Sequence, residues 1–170
     1  MECTSINILY LLLGSNLGDR QAVLSQASEE IVRAVGTIQK SSSLYETAPW
    51  GVTNQPAFLN QVLEVRTTLS PDAVLHSVLE IEQALGRVRF ERWGARVIDI
   101  DILFFNDLVC HEARLTIPHP RLHERRFTLV PLAEIAPVLV HPLLGKTIQI
   151  LLDETSDITE VTLFSLNSTI

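Results

Sequence analysis

Strand-like and helix-like segments alternate along this chain in an order that leaves few possible folds. Strands are predicted where apolar residues are continuous or alternate, and helices where they recur every three or four residues. The predicted strands cover residues 6–13, 41–47, 58–68 and 97–105, and the two predicted helices carry the apolar faces Val23, Ala27, Ile31, Ala34, Val35 and Val74, Leu75, Val78, Leu85. A short strand over 108–110 and a helix over 129–135 follow. The order β-α-β-β-α-β predicts an α+β protein of the ferredoxin-like type, in which helices pack on an antiparallel sheet in three layers, α/β/α.

The composition predicts one globular domain. With 170 residues, of which 46% are apolar, the chain can bury a core, so we expect a single domain over 1–170 with a frayed polar tail over 161–170. The apolar run 6–13 is too short to span a bilayer and no basic residue precedes it, which argues against a membrane segment and a secretory signal. The two cysteines, Cys3 and Cys110, are too few for a disulfide framework. We expect a cytoplasmic monomer.

Arginine residues are concentrated in one part of an otherwise acidic chain. Eight of the 13 basic residues lie between positions 87 and 126, and all eight are arginine, while the whole chain has a net charge of −7. The net charge argues against a nucleic-acid partner. The arginine cluster favours a small polyanion as the ligand, although solvation at the surface is the simpler explanation for any single arginine.

Two aspartates two positions apart, Asp99 and Asp101, are the candidates for a metal site. Alternate residues of a strand project to the same face, so the two carboxylates should point together, and we expect their face to continue through Leu103 and Phe105. Carboxylates with open positions for water and phosphate suit Mg²⁺. For an Asp-x-Asp pair alone, two solvated acids would be the simpler interpretation. The preceding RWGAR (residues 92–96) favours a metal and phosphate site, because arginine forks match phosphate oxygens.

Seven segments in a fixed order resemble the hydroxymethyldihydropterin pyrophosphokinase family. They are GSNLG (14–18), YETAPWG (45–51), QPAFLN (55–60), GRVR (86–89), RWGARVIDIDIL (92–103), IPHPRLHER (117–125) and PLAEIAP (131–137). The resemblance extends from about position 8 to position 152. It implies transfer of the β,γ-pyrophosphoryl group from ATP to 6-hydroxymethyl-7,8-dihydropterin, with release of AMP, and two Mg²⁺ ions as cofactors.

The resemblance also implies a role for individual residues of this sequence. The catalytic residues would be Arg87, Arg96, Asp99 and Asp101, of which the two aspartates would bind the metal ions. The ATP phosphates would contact Arg87, Arg89, Arg96, His119 and Arg125. The pterin would contact Thr47, Pro49, Trp50, Phe58, Asn60 and Phe127, with the two phenylalanines on either side of its ring. Glu82 would support the arginine loop, and Trp50 and Trp93 would lie in mobile loops that close the site.

Two functions of other classes compete with this prediction. A ferredoxin-like sheet with exposed aromatic rings could bind single-stranded RNA, but the net charge and the absence of a basic-aromatic pattern on the central strands argue against it. A non-catalytic nucleotide-binding module would leave the paired aspartates unexplained. ATP and the pterin alcohol are therefore the expected partners, with no nucleic acid and no membrane.

Overall fold

The structure, a computed structural model, describes residues 4–48, 56–86 and 97–165. Within these ranges the strands are β1 (Asn7–Ser15), β2 (Thr37–Ser41), β3 (Tyr45–Thr47), β4 (Phe58–Thr67), β5 (Asp99–Phe105), β6 (Cys110–His111), β7 (Thr116–Ile117) and β8 (Val161–Leu163). The helices are α1 (Arg20–Ala34), α2 (Pro71–Ala84), α3 (Arg126–Ile135) and α4 (Ile148–Glu154), and a 3₁₀ turn covers Leu122–Glu124.

The main sheet is antiparallel throughout. Its strand order is β5-β1-β4-β3-β8, and β2 pairs with the second half of β4 beside β3. Strands β6 and β7 form a separate hairpin. The long strands β1 and β4 therefore lie at the centre, as expected for the two segments with the longest apolar patterns. The predicted α+β class with an antiparallel sheet is confirmed.

Each face of the sheet is covered by two helices, which gives the predicted three layers. The first face packs Leu9, Leu11 and Leu13 of β1 against α1 and α2. The second face packs Tyr10 and Leu12 against α3 and α4. Alternate residues of one strand thus enter different cores, and each leucine removed from water stabilises the fold by roughly 1.5–3 kcal/mol.

A bulge in β5 changes which face its side chains occupy. Leu11 pairs with Ile102 and Tyr10 with Phe104, so Leu103 is an extra residue on β5. After the bulge, Leu103 and Phe104 both enter the second core, and Phe105 enters the first. The prediction that the face of the aspartates continues through Leu103 is confirmed, but its extension to Phe105 is wrong because the bulge reverses the alternation.

The prediction of one strand over 41–47 is wrong, because two strands meet there. β2 ends at Ser41 and β3 begins at Tyr45. Between them, Ser42 replaces part of the regular pairing: its Oγ accepts from the Val62 N–H (2.9 Å), and its carbonyl oxygen accepts from the Gln61 side chain (3.0 Å). A serine hydroxyl competes with the backbone for such bonds, and the strand is interrupted at that residue.

Further corrections concern the second half of the chain. The short strand expected over 108–110 is displaced to Cys110–His111, and it pairs with β7 and not with β5. The helix expected over 129–135 already begins at Arg126. Helix α4 and strand β8 are elements that the sequence patterns did not predict. Because β8 pairs with β3, the expectation of a frayed tail is wrong for Val161–Leu163.

The helices begin where the sequence supplies capping side chains. The Asp19 carboxylate accepts from the Ala22 N–H at 3.1 Å, and the Ser70 hydroxyl accepts from the Ala73 N–H at 3.2 Å. Both bonds satisfy N–H groups that have no partner inside the helix. In the described ranges, no helix combines the length and the apolar character that crossing a bilayer would require.

Glu134 joins α3 to the start of β3. Its carboxylate accepts hydrogen bonds from the Ser43 hydroxyl (2.6 Å), the Ser43 N–H (3.0 Å) and the Tyr45 hydroxyl (2.7 Å). Partial burial alone would raise the pKa of the Glu134 carboxyl, but these bonds outweigh burial and lower that pKa below its usual range. The pKa of Tyr45 is raised to about 12, by burial and by the carboxylate beside it.

We predict that Glu134→Gln lowers the free energy of unfolding at pH 7 by about 1 kcal/mol, because an amide presents an N–H group to donors that need an acceptor. A lowered carboxyl pKa stabilises the fold fully above the unfolded-state pKa and no longer does so below the folded-state pKa. The difference between wild type and variant should therefore shrink as the pH falls through the acid range. Urea unfolding between pH 7 and pH 3 measures it, with the exposed Glu29→Gln as control. A difference that persists unchanged into acid would contradict the prediction.

Candidate functional site

Beyond the second core, the sheet face that packs on α3 and α4 changes from apolar to polar toward the same end of three strands, one residue pair earlier on β5 than on β1 and β4. On β1 the side chains end with Leu12 and are followed by Gly14, and on β4 Val62 is followed by Asn60 in the same direction. On β5, Leu103 gives way to Asp101 and Asp99. Asp99 pairs with Gly14, and Gly14 pairs with Asn60, so the three residues form one row across the sheet. Adjacent strands are about 4.8 Å apart, which puts Asp99 and Asn60 about 10 Å apart along that row.

A buried amide lies at one end of this row, and we call the group of residues around it (Gly14, Thr47, Phe58 and Asn60) the recess. Asn60 and Thr47 are each 3% exposed, and the Asn60 Nδ2 donates to the Thr47 Oγ1 at 3.0 Å. A Cβ at Gly14 would lie 2.8 Å from the Asn60 Oδ1 and 3.8 Å from a ring carbon of Phe58. The glycine thus makes room for the Asn60 carbonyl oxygen over the central strand. This places an oriented hydrogen-bond acceptor beside an aromatic ring.

Two aromatic rings lie on this side of the sheet. Phe58 is half-buried at the start of β4, next to the recess. Phe127 lies in the first turn of α3, packs against the second core, and has the Arg125 guanidinium carbon 5.6 Å from its ring centre. That distance allows a cation–π contact. The structure therefore brings the predicted Thr47, Phe58 and Asn60 together, and it puts Phe127 on the same side of the sheet.

The two aspartates lie on the other side of the row, at the outer strand. Asp99 and Asp101 are half-buried, and Ile100 between them enters the first core. The Ile100 N–H donates to the Glu82 Oε2 at 3.2 Å. Glu82 belongs to α2 and is 1% exposed. Its bond to Ile100 holds the backbone between the two aspartates against that helix. The role expected for Glu82 in supporting residues 87–96 lies outside the described residues.

His119 is held against the same strand. Its N–H donates to the Leu103 carbonyl at 3.0 Å, and its Nδ1 accepts from the Arg121 N–H at 3.2 Å. Burial, helped by the nearby Arg125, lowers the pKa of His119 to about 4, although Asp99 acts in the opposite direction. The ring is therefore neutral at pH 7, and because Nδ1 accepts, Nε2 carries the proton and is the donor available to a ligand.

Arg125 interacts electrostatically both with His119 and with the two aspartates. Burial lowers the pKa of its guanidinium group, and the charge of Asp101 is the largest influence that raises it. The cation stays charged at neutral pH. The face therefore sets carboxylates near a cation, an arrangement that a phosphate group and a divalent metal ion could both complete.

Six of the residues predicted for this site lie outside the described ranges. They are Pro49, Trp50, Arg87, Arg89, Trp93 and Arg96. Among the described residues, the sequence patterns missed Gly14, whose role depends on which residues face it across the sheet. They also missed Arg20, which donates to the Ala57 carbonyl (2.9 Å) and pairs with Glu46 (2.7 Å). The GSNLG segment contains Gly14 and was the signal available for it.

The residues present fit a Mg²⁺ ion. Two carboxylates two positions apart on one strand face supply the oxygen ligands that Mg²⁺ prefers. Among residues 4–48, 56–86 and 97–165, no group of three or more His, Cys, Asp or Glu side chains is arranged to hold a metal ion. Mg²⁺ is commonly bound through one or two carboxylates and keeps several waters, so a pair of aspartates is sufficient protein ligation for it.

The fold and the candidate site together define a class: a three-layer α+β protein with a row of polar residues on one face of its antiparallel sheet. Comparison with known proteins then identifies the family. The family model for 7,8-dihydro-6-hydroxymethylpterin-pyrophosphokinase (HPPK) matches residues 10–137, so the chain belongs to this family. The resemblance seen in the sequence is confirmed.

Individual relatives agree with the family assignment. The chain is 49% identical over 132 residues to a 2-amino-4-hydroxy-6-hydroxymethyldihydropteridine pyrophosphokinase of Methylorubrum extorquens, covering 77% of this chain and 84% of the relative. It is 48% identical over 130 residues to the protein of the same name from Bacillus subtilis, covering 76% and 78%. A Plasmodium falciparum HPPK-DHPS triple mutant has the same fold, with a TM-score of 0.73 and 21% identity over 89% of this chain. The chain spans 44% of that longer structure.

We predict that Gly14→Ala displaces the Asn60 side chain, because the new Cβ and the Asn60 Oδ1 cannot both keep their places. Breaking the buried bond to Thr47 should cost about 1–2 kcal/mol of unfolding free energy. In an Asn60→Ala background the space is vacated, and the same glycine change should cost much less. Unfolding free energies of the two single variants and the double variant test this coupling. Additive losses would show that Gly14 acts independently of Asn60.

We predict that the His119 imidazole titrates near pH 4 in the metal-free, ligand-free protein. Arg125→Met should raise its pKa, because a neighbouring cation disfavours the protonated ring, and Asp99→Asn should lower it further. Proton–carbon NMR of the imidazole between pH 3 and pH 8 measures both shifts. A ring that titrates between pH 6 and 7 and ignores both substitutions would contradict this electrostatic environment.

Proposed function

We propose that this chain transfers the β,γ-pyrophosphoryl group of ATP to the hydroxymethyl group of 6-hydroxymethyl-7,8-dihydropterin, a step of folate biosynthesis. The oxygen of the pterin hydroxyl forms a bond to the β-phosphorus, and the bond from that phosphorus to the oxygen bridging to the α-phosphorus breaks. AMP leaves with the bridging oxygen, and the hydroxyl proton is released. Membership of the family supports the reaction.

The observation that carries the proposal is the row Asp99–Gly14–Asn60. It puts the carboxylate pair about two strand spacings from the oriented Asn60 amide and the Phe58 ring, two groups that would suit the edge and the face of a flat heterocycle. A pterin in that recess would direct its hydroxymethyl group toward the aspartates, where the triphosphate would lie. Phosphoryl transfer needs reactants held in line and charge neutralised more than it needs covalent help from the protein.

On the pterin side, different residues would recognise the polar edge and the flat face of the ring. Asn60 donates to Thr47, so its Oδ1 is oriented over Gly14 and can accept from an N–H on the pterin edge. Phe58 and Phe127 would enclose the ring, and aromatic stacking of a flat base contributes about 1–3 kcal/mol. Pro49 and Trp50, which lie outside the described residues, would complete the recess.

On the ATP side, charge is the main requirement. Asp99 and Asp101 would hold Mg²⁺, for which we propose two ions, and bound Mg²⁺ would neutralise the triphosphate and favour loss of the hydroxyl proton. Arg125 would bind phosphate oxygens, and the neutral His119 would donate from Nε2. Arg87, Arg89 and Arg96 are proposed phosphate ligands by resemblance alone. Arg87 and Arg96 would also stabilise the charge that develops during transfer.

The proposed setting is a cytoplasmic monomer. The low cysteine content supports a reducing compartment, because two cysteines in 170 residues are too few for a disulfide framework. A nucleotide- or RNA-binding module without catalysis is the competing function. Membership of a pyrophosphokinase family does not favour it, and it would leave the Asp99–Asp101 pair unexplained.

A coupled assay for AMP, with ATP, Mg²⁺ and the reduced pterin alcohol, tests the function. Wild type should release AMP only when the pterin is present, and EDTA should abolish the release. Asp99→Asn and Asp101→Asn should each reduce turnover at least about a hundredfold, because charge alignment in the transition state is lost. Asp107→Asn, the same change in the exposed turn after β5, is the matched control and should keep full turnover. Unchanged turnover in both site variants would exclude the proposed metal ligands, and no pterin-dependent AMP in wild type would exclude the reaction.

A further inference from the structure

The C-terminal segment 157–164 contacts both sides of the recess described above. It lies outside residues 10–137, the span matched by the family model. Its contacts reach the start of α3, next to Phe127, and β3, which contains Thr47. They also reach Arg20, which binds the carbonyl of the residue before Phe58. We call this segment the strap.

The first contact of the strap is with the start of α3. The Asp157 Oδ2 accepts from the Arg126 N–H at 2.8 Å, and Arg126 precedes Phe127. The first N–H groups of a helix have no partner within it, and a carboxylate there also interacts favourably with the helix dipole. Asp157 is itself oriented, because its Oδ1 accepts from the Thr159 N–H (3.0 Å) and hydroxyl (2.6 Å). The bond therefore anchors the turn that carries Phe127.

The second contact is with β3, four residues further on. Val161 pairs with Thr47, and the pairing continues to Leu163 opposite Tyr45. The Phe164 N–H extends it by donating to the Leu44 carbonyl at 2.8 Å. A three-residue strand such as β3 would otherwise be an exposed sheet edge. β8 thus holds the strand that supplies Thr47 to the recess.

The third contact passes through Arg20. The guanidinium carbon of Arg20 lies 5.5 Å from the centre of the Phe164 ring, within range of a cation–π contact. The same guanidinium group binds the Ala57 carbonyl, next to Phe58, and the Glu46 carboxylate of β3. Phe164 therefore covers a side chain that fixes the entry to β4.

These contacts join the two sides of the recess through a short connection. From Asp157 to Val161 the chain has four residue steps, which span at most about 14 Å. The turn with Phe127 and the strand with Thr47 cannot move apart without breaking the Asp157 bond or the β3–β8 pairing. We propose, resting on the proposed function, that the strap fixes the spacing of the pterin recess and that Asp157 and Phe164 are positioning residues for pterin binding.

The test compares Asp157→Ala with two matched variants in the full chain. Asp157→Asn keeps an acceptor oxygen for the Arg126 N–H, and Asp153→Ala removes an exposed carboxylate that contacts Gln149 instead. We expect Asp157→Ala to raise the KM and the dissociation constant for the pterin about tenfold, with the ATP constants within about twofold. Asp157→Asn should restore only part of the affinity, because its single acceptor oxygen can serve Arg126 or the Thr159 N–H but not both. Asp153→Ala should match wild type. Phe164→Leu, which leaves β8 intact, should weaken pterin binding in the same selective way.

Two further measurements distinguish an effect of the strap on pterin binding from a general loss of stability and from a failure of the proposed reaction. Amide NMR shifts of Thr47 and Phe127 in the ligand-free protein should change in Asp157→Ala and not in Asp153→Ala, whatever the catalytic outcome. Calorimetry gives pterin and ATP affinities without turnover, so a wild type that binds pterin but releases no AMP would refute the proposed reaction alone. The positioning role of the strap is refuted if Asp157→Ala and Phe164→Leu both bind pterin as wild type does. Equal weakening of ATP and pterin, or a loss that only follows the melting temperature, would also refute it.

Discussion

The pairing of β1 with both β4 and β5 is the constraint on which the rest of this structure depends. It assigns alternate residues of β1, of β4 and of β5 as far as its bulge to the two cores, and it aligns Asp99, Gly14 and Asn60 in one row across the sheet. Gly14 is the point where the two registers meet, with Asp99 on one side and Asn60 on the other. If β1 slipped by one residue against either neighbour, its leucines would exchange cores and the polar row would be lost.

The two sides of the row are supported by different means. The carboxylate side is supported from the outer edge of β5, where Glu82 accepts from the Ile100 N–H and the Leu103 carbonyl accepts from the His119 N–H. Backbone groups of an edge strand that would otherwise need water are used there to place charged residues. The recess side is supported by side chains and by the C-terminal segment. Metal and phosphate would thus meet a rigid strand, whereas the heterocycle would meet a surface assembled from three separate parts of the chain.

Much of the fold was predictable, and the reason is the length of the apolar patterns. β1, β4 and β5 have long apolar runs, and α2 has a Ser70 cap followed by Pro71, so their existence and type followed from local chemistry. The division between β2 and β3 did not, because it depends on Ser42 bonding to Val62, twenty residues away. β8 has three residues and is a strand only because β3 lies beside it.

Some features of the candidate site could likewise be predicted from local sequence patterns, and others could not. The common face of Asp99 and Asp101 follows from the alternation of a strand, which two positions in the sequence are enough to define. The space that Gly14 gives to Asn60 depends on the strand register, and the contact of Asp157 with Arg126 depends on the path of the chain after α4. Neither of these two contacts can be predicted from a local sequence pattern. The roles proposed for His119 and Arg125 come from the resemblance, and the structure adds the burial and the neighbouring charges that shift their pKa values.

The bulge at Leu103 determines where β5 could lose a residue. Before the bulge, the strand presents carboxylates to the second face; after it, Leu103 and Phe104 fill the second core and Phe105 the first. Removing Leu103 would restore regular alternation and leave the aspartates and both phenylalanines on their present faces, but the second core would lose a leucine that is 1% exposed. Removing a residue on either side of the bulge would instead turn part of the strand over, which would place carboxylates in the first core or exchange Phe104 and Phe105. A deletion in β5 should therefore be least damaging at Leu103, where it leaves a cavity and does not reverse the strand.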